Sequence, residues 1–246
     1  MGIDLAWKSS KYPSGLAVGE ACSDALIVET VESRVLAPAD LRGYLRDNDD
    51  ISGVAVDAPL IVPNTSGSRP CEKMVTSKYG SRHGGANSSN AVRLSQDGYQ
   101  PLAINAVLEE SGYRHLLAPR WILECFPLPT MVELFDLPTA IKYKKGNVAD
   151  KKVGQALIAE HIGALKFPAL KFNEPEHARV LDPSYIRSLR GKAIKANEDK
   201  IDALICLYVA ALYDQNPTNG VRFGDLIKGY IWIPKGRPAT RSNTPK

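Results

Sequence analysis

Gly53-Val54-Ala55-Val56-Asp57-Ala58-Pro59-Leu60 places four small or apolar residues ahead of an acid and a proline. A run this short and this apolar, bounded by turn formers, reads as a buried strand. Pro59 has no amide hydrogen to give to a central ladder, so the strand should stop at about Ala58 and leave Asp57 at its mouth. Upstream, residues 2–6 read as another short buried strand, with Asp4 inside GIDLAW. Residues 15–20 (GLAVGE) and 24–32 (DALIVETVE) are apolar and β-branched between Gly, Pro and Ser, as two antiparallel strands following the first would be. Pro38 suits a first helical turn, and ADLRGYLRD continues a helix through about residue 47. Three antiparallel strands feeding a crossover into a parallel strand predict a mixed α/β sheet. If the first strand and the strand after the crossover are parallel neighbours, Asp4 and Asp57 approach each other.

Beyond Pro59 the pattern changes. Residues 63–90 are polar and rich in Gly and Ser; CEKMVTSKY within them suits a helix, and the rest reads as loop. A loop of this length inside a compact domain is usually functional or disordered. Residues 100–111 (QPLAINAVLEES) suit a helix, and WILECFP is a brief strand ended by Pro127. Helical spacing runs from Asp150 through Val153, Leu157, Ile158, Ile162 and Leu165. Asp182-Pro183 is a helix-start signature. The segment from about Asn197 to Tyr213 is the strongest helix, and its later turns (LICLYVAAL) are apolar all round, so it should be buried. VRFGDLIKGYIWIP reads as a closing hairpin or strap.

The chain of 246 residues has ordinary hydrophobic and charged content, 44% and 24%. No apolar run reaches the roughly 18 residues of a membrane span, and the first residues lack the basic-then-apolar pattern of a secretory leader. Cys22, Cys71, Cys125 and Cys206 are scattered and form no C-x-x-C, which suits reduced thiols in a cytoplasmic protein. The net charge of +4 is matched by Lys235, Arg237, Arg241 and Lys246 of the last twelve residues, which carry no acid. Residues 235–246 are therefore expected to form a basic, flexible tail on a single domain of residues 1–234. Within that domain, Lys142, Lys144, Lys145, Lys151 and Lys152 form a local basic cluster able to line one side of a groove.

Asp4, Asp57, Glu124 and Asp202 each stand where an apolar segment begins or ends. Several carboxylates converging on one rim repel each other unless a positive charge lies between them, and a divalent metal held by oxygen ligands meets that need. Asp199 and Asp202, three residues apart, project from one helix face. The helix dipole alone, worth at most about 1 kcal/mol in exposed settings, does not offset deep burial of two acids.

The order of these segments resembles the ribonuclease H-like superfamily. More closely, the chain is similar to a family of predicted ribonuclease H-like nucleases. The matching residues are Gly2-Ile3-Asp4-Leu5-Ala6-Trp7, Val56-Asp57-Ala58-Pro59, Arg69-Pro70-Cys71-Glu72, Glu124-Cys125-Phe126-Pro127, Lys144-Lys145, Lys200-Ile201-Asp202-Ala203-Leu204 and Gly229-Tyr230-Ile231-Trp232-Ile233-Pro234. Asp199-x-x-Asp202-Ala-Leu also looks like the helix acids of the Holliday-junction resolvase branch. The resemblance implies a mixed five-stranded sheet flanked by helices, with a polar insertion after the fourth strand, about residues 63–120. It implies phosphodiester hydrolysis with Mg²⁺ or Mn²⁺: Asp4 bridging two ions, Asp57 and Asp202 each completing one shell, and Asp199 assisting. Glu124 is a catalytic candidate, as a ligand or as a partner of Arg69 or a lysine, and the role of Glu72 is equally open. Arg69, Lys144 and Lys145 would meet phosphates flanking the scissile bond of a nucleic acid.

Blander roles stand beside these. Asp57 before Ala-Pro suits a turn, Asp199 a helix cap, Glu124 a structural ion pair, and Lys144-Lys145 a solvated face. Trp7 and Trp121 suit a core, and His83 is an isolated loop histidine. No G-x-S-x-G elbow and no G-x-x-x-x-G-K-[ST] loop occurs, and Trp7 stands where an actin-like ATPase needs glycine. The second reading is a catalytically silent scaffold that binds a nucleotide, nucleic acid or protein.

Overall fold

A computed structural model describes residues 1–8, 11–95 and 100–236. The elements, in chain order, are β1 (Gly2–Asp4), β2 (Pro13–Ala21), β3 (Ala25–Val35), α1 (Pro38–Asp47), β4 (Gly53–Asp57), α2 (Pro70–Tyr79), α3 (Ala91–Ser95), α4 (Gln100–Glu110) and β5 (Arg114–His115). They continue with β6 (Trp121–Glu124), α5 (Pro127–Leu134), α6 (Val148–Gly163), β7 (Ala169–Phe172), α7 (Pro175–Ala178), α8 (Pro183–Ser188), α9 (Lys192–Gln215), β8 (Gly220–Asp225) and β9 (Gly229–Pro234).

The central sheet has the order β5-β6-β4-β1-β2-β3-β7. β1 is antiparallel to β2, and β2 to β3; β1 with β4, β4 with β6, β6 with β5 and β3 with β7 are parallel. The expected five strands thus become seven, because both edges gain a strand too short for side-chain alternation to signal. β5 is only two residues long. β7 is four residues long and pairs along Ala25–Val28 of β3. Within the stretch at 63–120, α2 and α4 stand at the two expected helices, and α3 and β5 add to them. VRFGDLIKGYIWIP forms the antiparallel β8–β9 hairpin as a separate two-stranded sheet. Of the expected basic tail, residues 237–246 lie outside the described residues.

Helices cover both faces of the sheet. Ile3, Val54, Val56 and Ile122 pack on one face with Leu41 and Leu45 of α1 and Ile104, Val107 and Leu108 of α4. On the other face Ala17, Leu26, Val28 and Val31 meet Ile201, Leu204, Ile205 and Tyr208 of α9. The all-round apolar turns of α9 are explained by this position, with the sheet on one side and α5, α6 and β9 on others.

Two local choices bring the acids into range. Gly15 of β2 faces α9 so closely that a Cβ there would lie 2.0 Å from the Asp199 carbonyl oxygen. Glycine therefore lets α9 lie directly on the strands. At α6, Asn147 Oδ1 accepts from the Asp150 amide at 2.9 Å and Asp150 Oδ2 accepts from the Asn147 amide at 3.2 Å. This capping box starts the helix at Val148, before the expected Asp150, and pins the end of the lysine-bearing loop ahead of it.

Candidate functional site

Asp4 and Asp57 are the last residues of β1 and β4, and the parallel register pairs them directly. Side chains alternate along a strand. Ile3, Val54 and Val56 point toward α1 and α4, so Asp4 and Asp57 project together on the α9 side. There Asp202 meets them from the helix, wholly buried at 0% exposure. Burial first, then the charge of Asp202, lifts the pKa of Asp4 well above the carboxylate range, and Asp57 adds to it. Asp57 is pushed up to about 7, by burial first and then by Asp202 and Glu124, against the opposing pull of Lys144.

Two neighbouring side chains hold Asp202. The Tyr143 hydroxyl donates to its Oδ1, and Lys144 Nζ lies 2.6 Å from its Oδ2. Burial works against the Lys144 ammonium, but Asp202, Tyr143, Asp4 and Asp57 together keep its pKa well above the usual lysine value. The loop can deliver these groups because Gly154 of α6 leaves room for it: a Cβ at that position would lie 2.1 Å from the Lys142 carbonyl oxygen.

Asp199 has other partners. It pairs with Lys195 at 2.5 Å, one helical turn away, and accepts from Ser33 Oγ of β3 at 3.4 Å. Asp199 and Asp202 are both buried behind the cavity that Asp4 and Asp57 line, and neither is part of its lining.

Glu124, Arg69 and Glu72 form a second buried charge cluster. Glu124 stands opposite Val56 in the register, and with Arg69 and Glu72 it lines the same cavity as Asp4 and Asp57. Arg69 is 1% exposed. Its Nη1 and Nη2 donate to the two Glu124 oxygens at 2.9 and 2.6 Å, its Nε to Glu72 at 2.9 Å, and its Nη1 also to the Ile61 carbonyl at 3.0 Å. Glu124 Oε2 further accepts the Leu60 amide at 3.0 Å, which fixes the chain just after Asp57. Glu72 accepts the amides of Arg69 and Ser89 at 2.8 and 3.1 Å. The guanidinium expected at a phosphate is thus committed to carboxylates, and Glu124 takes the arginine-holding role of its two expected ones.

Asp4, Asp57 and Lys144 open on a cavity of about 860 Å³. Lys142 and Lys145, both exposed, line it with apolar Phe126, Leu128, Ile141 and Ile231. Trp7 also borders it, its indole donating to the Asp57 carbonyl at 3.2 Å. His83, with a left-handed φ of 60°, reaches the same cavity. Ser89 lines it too, and its buried hydroxyl has no hydrogen-bond partner. Tyr143 and Ser89 were not foreseen as site residues. The first was legible only as the neighbour of Lys144, and the second carried no signal within a serine-rich loop.

An oxygen-only donor set of converging carboxylates suits Mg²⁺ or Mn²⁺. As the side chains stand, no group of three His, Cys, Asp or Glu among the described residues is arranged to hold a metal ion. Asp4 and Asp57 present their carboxylates together, whereas Asp202 is engaged by Lys144 and Tyr143. By donor chemistry alone, the three carboxylates are of the kind that would hold a divalent cation.

Fold and site together define a mixed α/β protein with a carboxylate-bearing cavity at the ends of parallel strands. The family model described as "Protein of unknown function (DUF429)" matches residues 2–220, and the chain belongs to that family. No curated protein and no solved structure matches it significantly. Among the described residues no helix is long and apolar enough to cross a membrane.

Proposed function

We propose that the chain is a metal-dependent nuclease of the ribonuclease H-like kind, with Asp4, Asp57 and Asp202 as its carboxylates. The observation that carries this reading is the pairing of Asp4 with Asp57 on adjacent parallel strands, with Asp202 brought to them by α9. The five inner strands add support, since β3-β2-β1-β4-β6 combines two antiparallel partners on one side of β1 with parallel partners on the other. Asp4 and Asp57 would hold Mg²⁺ or Mn²⁺, joined by Asp202. A metal bound there supplies Lewis acidity to a phosphodiester and a water.

The chain's own residues have separable tasks. Lys142 and Lys145 bind phosphate oxygens as mobile point charges. Phe126, Leu128 and Ile141 give a sugar or base an apolar wall and exclude water. Arg69 and Glu124 position the backbone after Asp57 rather than touching substrate.

The scaffold reading has one observation in its favour, the Lys144 ammonium that already sets a positive charge 2.6 Å from Asp202 Oδ2. Incubation of the protein with end-labelled single-stranded and duplex DNA and RNA, with Mn²⁺ or with chelator, separates the two. Cleavage that needs Mn²⁺ and disappears in Asp57→Asn supports the nuclease. Absence of cleavage across the panel, together with tight oligonucleotide binding, supports the scaffold.

A further inference from the structure

We propose that Lys144 is a tethered counter-ion that occupies the charge position of a divalent cation among Asp4, Asp57 and Asp202, and that it must be displaced for metal to bind. The inference rests on the metal reading above and concerns how that site is controlled.

Three carboxylates in a low-dielectric pocket require compensation. Arg69 is committed to Glu124 and Glu72, and Lys195 to Asp199 and Glu198; Lys142 and Lys145 line the cavity but are exposed. The Lys144 ammonium touches Asp202 and acts electrostatically on both Asp4 and Asp57. It therefore supplies one positive charge where a divalent ion would supply two.

The arrangement is reversible by construction. Asp202 is wholly buried, but the Lys144 side chain is 32% exposed, and it stands on an irregular loop with Gly146 at a φ of 101°. A lysine has a flexible four-carbon stem, so its head group can leave for the solvent-lined cavity while its backbone stays in place. Asp202 keeps its orientation when this happens, because the Tyr143 hydroxyl still donates to Oδ1. A metal that must first expel the ammonium binds with an affinity reduced by the fraction of molecules in which the lysine is already out.

The test is calorimetric titration of Mn²⁺ into the chelator-stripped full chain as wild type, Lys144→Met and Lys144→Arg. The expected result is at least about tenfold tighter binding by Lys144→Met, the scale on which one adjacent charge shifts an ionic equilibrium, with no tightening in Lys144→Arg. Equal or weaker binding by a folded Lys144→Met overturns the counter-ion role while leaving the metal site standing. No binding by any of the three removes the metal reading and this inference with it. A measurement on the wild type alone covers the case in which Lys144→Met does not fold. Amine acylation read by mass spectrometry should find Lys144 protected in chelator and several-fold more reactive in Mn²⁺. Unchanged labelling in a metal-bound protein overturns the proposal.

Discussion

Asp4 and Asp57 are direct register partners across the parallel β1–β4 pair, and both close their strands. Parallel strands deliver their C-terminal ends to the same side, so two acids separated by 53 positions in the chain become neighbours without any loop having to place them. α9 then crosses the face they project from, and Asp202 completes the group.

That crossing depends on Gly15. Its missing Cβ would lie 2.0 Å from a backbone oxygen of α9, an atom that cannot rotate away. Gly15→Val should destabilise the fold by several kcal/mol, on the order of other overpacked cores or more, and should weaken Mn²⁺ binding in whatever fraction remains folded. Urea denaturation checks the first effect. A stability loss under about 0.5 kcal/mol, typical of an unconstrained surface site, would show that α9 does not rest on this strand.

Arg69 should matter to stability more than to substrate. Arg69→Met leaves Glu124 and Glu72 buried without their cation, a loss of about 3–5 kcal/mol for a broken buried pair. The triple variant Arg69→Met, Glu72→Met, Glu124→Met removes every charge at once and should recover much of that loss. Denaturant midpoints of the two variants decide the matter. A triple variant no more stable than the single one would mean that the charges act through something other than mutual compensation.

His115, with Glu109 Oε1 3.9 Å from its Nε2, provides a pH signature apart from Asp4, Asp57 and Asp202. Its Nδ1 lies 2.9 Å from the Tyr230 hydroxyl and its Nε2 2.9 Å from Asn105 Oδ1, and burial pushes its pKa down to about 4. The folded protein therefore binds fewer protons here than the unfolded chain between the ordinary value near 6.5 and 4. Stability contributed above pH 6.5 is lost as pH falls through that window, by up to about 3 kcal/mol. His115→Gln should flatten the slope of unfolding free energy against pH between 4 and 6.5. An unchanged slope would place the titration on another group.

The acids themselves were legible because each interrupts an apolar run, and a carboxylate at a strand mouth or in a buried helix is costly without a role. The strand order around them was legible as well, from three antiparallel segments, a crossover helix and a strand stopped by Pro59. The partners of those acids were not. Arg69 in a polar loop looks like a phosphate ligand, and only the fold shows Glu124 and Glu72 closing around it. Asp199 and Asp202 share a helix face, yet Asp199 pairs with Lys195 one turn away while Asp202 meets Lys144. Lys144 read as one member of a solvated cluster, because an ion pair spanning 58 residues leaves no trace in local pattern. β5 and β7 escaped notice because two and four residues carry no usable alternation.

The central claim is that Asp4 and Asp57 share one divalent cation. Anomalous diffraction from crystals grown with Mn²⁺ tests it most directly. The account predicts a Mn²⁺ peak within coordination distance of both carboxylates, absent from crystals of Asp57→Asn. A peak only elsewhere on the protein, or none with Lys144 still seated on Asp202 at saturating Mn²⁺, would contradict it.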